Sequence, residues 1–239
     1  MSRVLVTGGG SGIGRAIAQD FAAAGHDVVI AGRTLANLEE TAQGRTITCR
    51  AVDVTDEAAI DALFDAPFDI VVANAGSGDA MKIKDMPLEV WNSTLAVNLT
   101  GVFLTFRAAV RGMNASGRLI AIASTAGLQG TANAAAYAAA KHGVIGLVRS
   151  LALEVARDGI TCNAVCPGFV DTDMGQAAVT NVMEWMDISR DKAERMVTGG
   201  NPIRRMISTD EVVAAVRFLA SPEASMVNGH ALSVSGGEV

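Results

Sequence analysis

The chain has 239 residues, of which 50% are hydrophobic and 25 are glycine, and its formal net charge is −6. A chain of this length and apolar content buries a core of its own, which excludes an intrinsically disordered protein, and three cysteines do not suit a disulfide-stabilised scaffold. The acidic balance argues against a nucleic-acid partner.

Short runs rich in valine and isoleucine alternate with helical segments along the whole chain. These runs lack the polar alternation of a half-exposed sheet, which is typical of parallel strands covered on both faces. The alternation predicts a single α/β domain over 1–239, with a Rossmann-like, doubly wound, seven-stranded parallel sheet and helices on both faces. The predicted strands are 4–7, 28–31, 47–54, 69–73, 118–123, 160–165 and 231–234. The predicted helices are 12–24, 35–43, 56–65, 87–114, 135–157 and 209–220, with Thr55 and Ser208 as N-caps of the third and the last.

The stretch 168–208 is the longest irregular segment, and we expect it to contain one or two short helices. A segment of that length inside a compact domain is typical of a loop or lid over a binding site. Its methionines and Trp185 favour an apolar substrate lid over core packing.

We expect no secretory signal at the beginning of the chain, because the apolar run at 4–7 is short and glycines follow at once. No run reaches the roughly 18 consecutive apolar residues of a membrane span. We therefore expect a cytoplasmic protein without a membrane partner.

A glycine-rich turn at 7–14 follows the first predicted strand and opens the first predicted helix. Gly8, Gly12 and Gly14 have the spacing G-x-x-x-G-x-G. Glycine is required where the backbone turns tightly or touches a pyrophosphate, and the N-terminus of the helix offers free N–H groups to phosphate. This position between strand and helix favours a dinucleotide-binding site over an incidental turn.

The end of the second strand indicates which dinucleotide binds, because an acidic residue there would hold the ribose hydroxyls of NAD. Gly32 stands at that position and Arg33 follows it. An arginine binds a 2′-phosphate through its fixed fork of donors, which favours NADP(H). NAD(H) stays open as an alternative, since Ser11 adds no second positive charge and Arg33 could merely stack on adenine.

Tyr137 is the only tyrosine of the chain, and Lys141 follows it by four residues in an alanine-rich segment. A helix places both on one face, where an ammonium would stabilise a phenolate and lower the pKa of the phenol. Such a phenol can serve as a general acid or base. Ser124, at the end of the fifth predicted strand, could bond a carbonyl oxygen, and Asn98 lies inside the predicted 87–114 helix.

Together these pieces resemble the short-chain dehydrogenase/reductase family, over essentially the whole chain. They occur in the family's order and at suitable spacings, with Ala73 as a departure from the usual Asn-Asn-Ala-Gly. The matching pieces are 7–14, Asp53-Val54, 73–76, Asn98, Ser124, Tyr137, Lys141, Pro167-Gly168 and Thr172.

The resemblance implies a catalytic tetrad of Asn98, Ser124, Tyr137 and Lys141. In this family the tyrosine transfers the substrate proton and the serine positions the carbonyl. The lysine binds the nicotinamide ribose and lowers the pKa of the tyrosine, and the asparagine holds a water that relays the proton.

The glycine turn, the strand ends and the resemblance together define the expected cofactor contacts. Asp53 and Val54 are implied at the adenine, and Val170 with Thr172 at the carboxamide. The predicted cofactor-binding residues are Gly8, Gly10, Ser11, Gly12, Ile13, Gly14, Arg33, Thr34, Asp53, Val54, Asn74, Gly76, Tyr137, Lys141, Pro167, Val170 and Thr172.

The segments 124–130 and 163–169 are most similar to 3-ketoacyl reductases of fatty-acid and polyketide type, which implies NADPH-dependent reduction of a 3-ketoacyl thioester. The acidic protein offers little to an acidic carrier protein, so a coenzyme A ester or a free ketone or alcohol stays open. The alternative is a dehydrogenase of a 3-hydroxyacyl-CoA, a hydroxy acid or another secondary alcohol, and a non-catalytic NAD(P)-binding sensor is a remote third. The predicted substrate contacts are Ser124, Gln129, Tyr137, Gly168, Met174 and Trp185.

The remaining expectations concern assembly and metals. Members of the family usually form dimers or tetramers through the helices near 87–114 and 135–157, so we expect a homo-oligomer, either a homodimer or a homotetramer. We expect no metal site, because Cys162 and Cys166 have no cysteine or histidine partners nearby in the sequence and suit buried packing.

Overall fold

The computed structural model describes residues 1–78 and 80–239 of the chain. Its strands are β1 (Arg3–Thr7), β2 (Asp27–Gly32), β3 (Ile47–Ala51), β4 (Ile70–Ala73), β5 (Arg118–Ile122), β6 (Thr161–Pro167) and β7 (Ala231–Val234). They form one parallel sheet in the order β3-β2-β1-β4-β5-β6-β7. The predicted Rossmann-like sheet of seven parallel strands is therefore confirmed.

Helices connect the successive strands and cover both faces of the sheet. They are α1 (Gly12–Ala23), α2 (Leu35–Ala42), α3 (Glu57–Leu63), α4 (Leu88–Leu95), α5 (Gly101–Val110), α6 (Ala135–Val155), α7 (Asp173–Met186), α8 (Arg190–Val197) and α9 (Thr209–Ala220). Both faces of the inner strands meet apolar side chains, whereas Thr48 and Arg50 on the edge strand β3 are exposed. On the face covered by α1 and α9, Ile17 packs with Val6, and on the face covered by α5 and α6, Phe106 packs with Leu5. This double coverage explains why the strands lack polar alternation.

The predicted 87–114 helix is interrupted by a π-helical turn at Ala96–Thr100, between α4 and α5. Asn98 lies in this turn and is fully buried. A π turn inserts a residue into the helix and is frequent at functional sites. It turns a polar side chain inward from a segment whose other residues are mostly apolar.

The two predicted helix caps have different outcomes. Ser208 caps α9 as predicted, in a capping box with Glu211. At α3 the cap is Asp56 instead of Thr55, and its carboxylate accepts a bond from the backbone N–H of Ala59 at 3.1 Å. The Thr55 hydroxyl donates instead to Asp53, at 2.8 Å.

The 168–208 segment contains α7 and α8, which agrees with the expectation of one or two short helices. The two helices pack on each other around a small cluster of their own, formed by Val179, Ala193 and Met206. This cluster gives the segment a fixed internal structure beside the main cores.

Within the part of the chain that the structure describes, one helical run has the length and apolarity of a membrane span. It is Leu88–Val110, with 23 residues and a mean hydropathy of 1.3. Its middle packs against α6, and the buried Asn98 amide donates to two protein carbonyls. These contacts are those of a core helix, which satisfies the same length and composition criteria.

Candidate active site

The glycine-rich turn lies beside the loop that follows β4, at the carboxyl edge of the sheet. Strand order reverses here, because β1 stands between β2 and β4. Ligands of open α/β sheets bind in the crevice at such a point. The Asn74 amide donates to the carbonyls of Thr7 at 3.0 Å and Gly8 at 3.2 Å, and the Thr7 hydroxyl accepts from the Asn74 backbone at 3.0 Å. Asn74 thus holds the glycine turn in place.

The turn has the shape of a phosphate cradle. Gly8 and Gly12 have positive φ angles of +67° and +48°. A Cβ on Gly14 would collide with the Gly8 carbonyl oxygen. Ser11 occupies the N-cap of α1 and its side chain makes no cap bond, so the first N–H groups of the helix can face an anion. The residues present fit the pyrophosphate of a dinucleotide.

The other predicted residues of the turn have supporting contacts. Ile13 packs against the core beneath α1. The Gly10 carbonyl accepts from the Arg15 guanidinium at 2.7 Å, and a Cβ on Gly10 would lie 3.1 Å from the Asn37 Cβ.

Gly14→Ala tests the close approach of backbone to backbone in this turn. We expect the variant to unfold about 1–3 kcal/mol more easily, because the new methyl group overlaps the Gly8 carbonyl. We also expect NADPH affinity to fall at least about tenfold as the cradle is displaced. Urea unfolding and fluorescence titration measure the two effects. Gly112→Ala is the matched control, since open space surrounds that position. Equal losses of stability and NADPH affinity in Gly14→Ala and Gly112→Ala would contradict the requirement for glycine in this turn.

Arg33 and Asp53 lie together at the end of the crevice near β2 and β3. Arg33 follows β2 and is exposed, and Thr34 occupies the N-cap of α2. Hydrogen bonds from Thr55 lower the pKa of Asp53, and the Arg33 guanidinium acts in the same direction. Val54, next in the chain, is buried against Gly101. Positive charge therefore reaches this end of the crevice through Arg33.

The opposite end of the crevice is formed after β6, which Pro167 ends. Val170 is buried and bridges to Ile207. Thr172 caps α7 by accepting from the Gly175 N–H at 3.3 Å. Its methyl carbon lies 3.2 Å from a Cβ position on Gly12, so the predicted cofactor residues after β6 adjoin the glycine turn.

Ser124, Tyr137 and Lys141 meet at the ends of β5 and β6. Lys141 is 3% exposed, and its ammonium donates to the Ile122 carbonyl at 2.9 Å. The Lys141 Nζ atom lies 5.4 Å from the centre of the Tyr137 ring, which is half-buried. Ser124 lies two residues after β5 in extended backbone, and its hydroxyl accepts from the Ala126 N–H at 3.1 Å.

The side chains around Tyr137 favour its protonated form. Burial raises the pKa of Tyr137, and a hydrogen bond with Ser124 opposes that rise. The predicted direction, a pKa lowered by Lys141, is the opposite, and in this structure burial has the largest effect on the phenol. The phenol consequently keeps its proton at neutral pH and can donate it to a developing alkoxide.

Burial also disfavours the charged form of Lys141, and it lowers the pKa of this side chain from 10.5 to about 8. Between these values the unfolded chain binds more protons than the folded chain, so this group makes stability rise with pH. Between pH 7.5 and 9.5, we expect the free energy of unfolding of wild type to rise by about 2 kcal/mol relative to that of Lys141→Met. Urea unfolding of both proteins without cofactor measures the difference. The contributions of the other titrating groups cancel, because both proteins share them. Parallel pH profiles would contradict the burial of this charge.

Asn98 connects the π turn to the loop after β4. Its amide donates to the carbonyls of Ser77 at 2.7 Å and Thr94 at 2.9 Å, and its Oδ1 atom accepts from the Ser77 N–H at 3.3 Å. A Cβ on Gly76 would lie 2.8 Å from the Asn98 Oδ1 atom and 3.7 Å from the Lys141 Nζ atom. The four predicted tetrad residues are thus close neighbours, and the water relay implied for Asn98 stays a prediction.

The predicted substrate residues other than Ser124 and Tyr137 lie on the segments that follow β5 and β6. Gln129 and Gly168 follow β5 and β6. Met174 and Trp185 are on α7 and are 53% and 65% exposed. The Lys82 ammonium lies 5.9 Å from the centre of the Trp185 ring. This contact joins the 168–208 segment to the loop after β4.

Two residues near the site carry no signal in the sequence. Gly78 packs on Tyr137, because a Cβ there would lie 2.9 Å from the ring. Glu238 accepts a bond from the Gln129 amide at 2.8 Å, although the two residues are 109 positions apart. Only the folded arrangement brings them to the site.

No metal centre is evident among residues 1–78 and 80–239, where histidine, cysteine, aspartate and glutamate form no group of three able to hold an ion. Burial raises the pKa of Cys162 to about 12 and that of Cys166 to about 11. Both are neutral thiols inside the fold.

Comparison with known proteins identifies the family. The family model described as enoyl-(acyl carrier protein) reductase matches residues 8–238. Ketoacyl reductase 1 of the granaticin polyketide synthase from Streptomyces violaceoruber is 39% identical, over 98% of this chain and 91% of its own length. The chain belongs to the short-chain dehydrogenase/reductase family. It is accordingly an oxidoreductase that acts on ketone and alcohol groups.

Two further relatives of this short-chain dehydrogenase/reductase bear on its chemistry. D-beta-hydroxybutyrate dehydrogenase from Cupriavidus necator is 36% identical, over 98% of this chain and 96% of its own length. The crystal structure of a variant of the actinorhodin polyketide ketoreductase with NADPH has a TM-score of 0.93 and 36% identity, covering 99% of this chain and 97% of the other. One relative is named for a reductase and the other for a dehydrogenase.

Proposed function

We propose that this chain catalyses the NADPH-dependent reduction of a 3-ketoacyl thioester to the 3-hydroxyacyl thioester. The observation that carries the proposal is the half-buried Tyr137 ring beside Ser124 and Lys141, with a phenol pKa that burial raises, an arrangement suited to giving a proton to a carbonyl oxygen. The actinorhodin ketoreductase with NADPH and the granaticin ketoacyl reductase support the choice of cofactor and substrate class.

In the proposed reaction the Ser124 hydroxyl donates a hydrogen bond to the ketone oxygen and fixes its position. NADPH, held in the crevice by the residues of the glycine turn, would supply the hydride that the carbonyl carbon receives. Tyr137 gives its proton to the same oxygen as negative charge develops there. Lys141, held by the Ile122 carbonyl, places a positive charge next to the phenolate that remains.

The cofactor would occupy the crevice from Arg33 to Thr172. The glycine turn and the N-terminus of α1 suit its pyrophosphate, and the Arg33 guanidinium suits a 2′-phosphate. NAD(H) is the weaker candidate, because Gly32 stands where an acid would bind the ribose.

A second candidate is the oxidation of a 3-hydroxy acid, a 3-hydroxyacyl-CoA or another secondary alcohol, favoured by the hydroxybutyrate dehydrogenase among the relatives. That direction uses the same residues in reverse, with Tyr137 accepting the proton instead of donating it. A non-catalytic sensor is weaker still, because a sensor has no need of Ser124, Tyr137 and Lys141 together.

We further propose that the chain is one catalytic domain of a cytoplasmic homo-oligomer, with the 168–208 segment as its substrate lid. Apolar side chains exposed on the helices near the predicted interface support the assembly, among them Phe103 at 41% and Leu153 at 82% exposure. Light scattering after size-exclusion chromatography separates dimer from tetramer, and a monomer would contradict the assembly.

The function is tested by following NADPH absorbance with matched thioesters of N-acetylcysteamine. We expect turnover of the acetoacetyl thioester and little of the crotonyl thioester, whose double bond offers no ketone to Tyr137. Preferential turnover of the crotonyl thioester would contradict the proposal and favour enoyl reduction.

A further inference from the structure

The segment after β7 turns back over the ends of β5 and β6. Gly236 and Gly237 have positive φ angles of +64° and +93°. A Cβ on Gly236 would collide with the Asn201 side chain, and one on Gly237 would lie 3.4 Å from the Pro202 ring. The end of the 168–208 segment therefore holds this turn and directs the next residue, Glu238, toward the loop that begins at Ser124.

The Glu238 carboxylate contacts three segments around the predicted substrate site. Its Oε1 atom accepts from the Gln129 amide at 2.8 Å. A Cβ atom added to Gly168 would lie 2.8 Å from its Oε2 atom, and a Cβ atom added to Gly200 would lie 3.4 Å from its Cγ atom. A larger residue at Gly168 would displace the carboxylate, so these close approaches define a single position for it.

This contact fixes how Gln129 faces the site. An ionised carboxylate only accepts hydrogen bonds, so the NH₂ group of Gln129 must turn to Glu238. The Oε1 atom of Gln129 is then left to accept a bond from a substrate. Glu238 is half-buried and makes no ion pair within the described residues, so its negative charge is not neutralised locally.

We propose that Glu238 is a specificity-determining residue that orients Gln129 and disfavours substrates with a free carboxylate next to the reacting ketone. It selects neutral esters and thioesters of 3-keto acids over the acids themselves. The inference rests on the proposed function, and it gives a physical reason for a thioester substrate although one relative is named for a hydroxy acid.

The test compares acetoacetate with methyl acetoacetate, which carry the same ketone and differ in charge. We expect the ratio of kcat/KM for the ester to that for the acid to fall about tenfold in Glu238→Gln, because like-charge repulsion is removed while the shape is kept. Glu223→Gln is the control, since Glu223 is exposed and follows α9 at the opposite edge of the sheet; its ratio should stay within about twofold of wild type. An unchanged ratio in Glu238→Gln would overturn the proposal.

Gln129→Met separates the carboxylate from the amide, because it removes the hydrogen bond and leaves the Glu238 side chain in place. We expect it to lower kcat/KM for the ester while the ratio shifts less than about threefold. A shift as large as that of Glu238→Gln would overturn the role of the charge.

Calorimetric binding keeps this inference distinct from the proposed function. If wild type turns over neither ketone, the proposed function fails, and the affinities of 3-hydroxybutyrate and its methyl ester for the NADP⁺ complex still decide the role of Glu238. A roughly tenfold smaller ratio of ester affinity to acid affinity in Glu238→Gln than in wild type supports the role of Glu238. An equal ratio in wild type and Glu238→Gln overturns that role.

Discussion

Replacing Tyr137 with phenylalanine should lower kcat at least about a thousandfold and leave NADPH affinity within about threefold of wild type. The phenol is the proton donor in the proposed reaction, and burial keeps its proton in place. The substitution removes one oxygen atom and keeps the ring that packs on Gly78. Stopped-flow turnover and fluorescence titration measure the two quantities separately.

The two readouts distinguish catalysis from sensing. Lost turnover with retained NADPH affinity is the result expected of a catalytic acid. Retained turnover would show that another group donates the proton. A large loss of NADPH affinity with unchanged turnover at saturation would assign Tyr137 to cofactor binding alone.

Replacing Arg33 with alanine should weaken NADPH binding about 30-fold to 100-fold and change NADH binding less than about threefold. The guanidinium is exposed at the end of β2, near Asp53, with its donors available to a 2′-phosphate. NADH lacks that phosphate, so the two cofactors respond differently. Titration of the protein with each cofactor measures the difference.

Arg157→Ala is the matched control for that change. Arg157 is exposed in the short 3₁₀ turn between α6 and β6, at the amino edge of the sheet. We expect both affinities to stay within about twofold of wild type, since surface charge far from the crevice is screened. Equal losses of NADPH and NADH affinity in Arg33→Ala would indicate stacking on adenine, and tighter binding of NADH by wild type would contradict the preference for NADP(H).

The fold could be predicted because its signals are local. Valine-rich and isoleucine-rich runs indicate strands buried on both faces, and the glycine spacing of the first turn reflects contacts within a few residues. A Cβ on Gly14 meets the carbonyl of Gly8, six positions away. Constraints of this kind are visible in a sequence.

The supporting contacts of the site could not be predicted, because they join distant segments. The Ile122 carbonyl holds Lys141, Ser77 holds Asn98, and Glu238 holds Gln129. The π turn and the direction of the Tyr137 pKa likewise depend on packing. A helical i to i+4 spacing alone predicts a charge effect from Lys141, whereas burial by the surrounding fold has the larger effect.

The most direct test of the central claim is the fate of deuterium from NADPH that carries deuterium at both C4 positions of the nicotinamide, in a reaction with an acetoacetyl thioester. The proposed function predicts a 3-hydroxybutyryl thioester with deuterium at C3, formed by wild type and lost in Tyr137→Phe. A protein that binds NADPH tightly and forms no labelled alcohol from this ketone would contradict it.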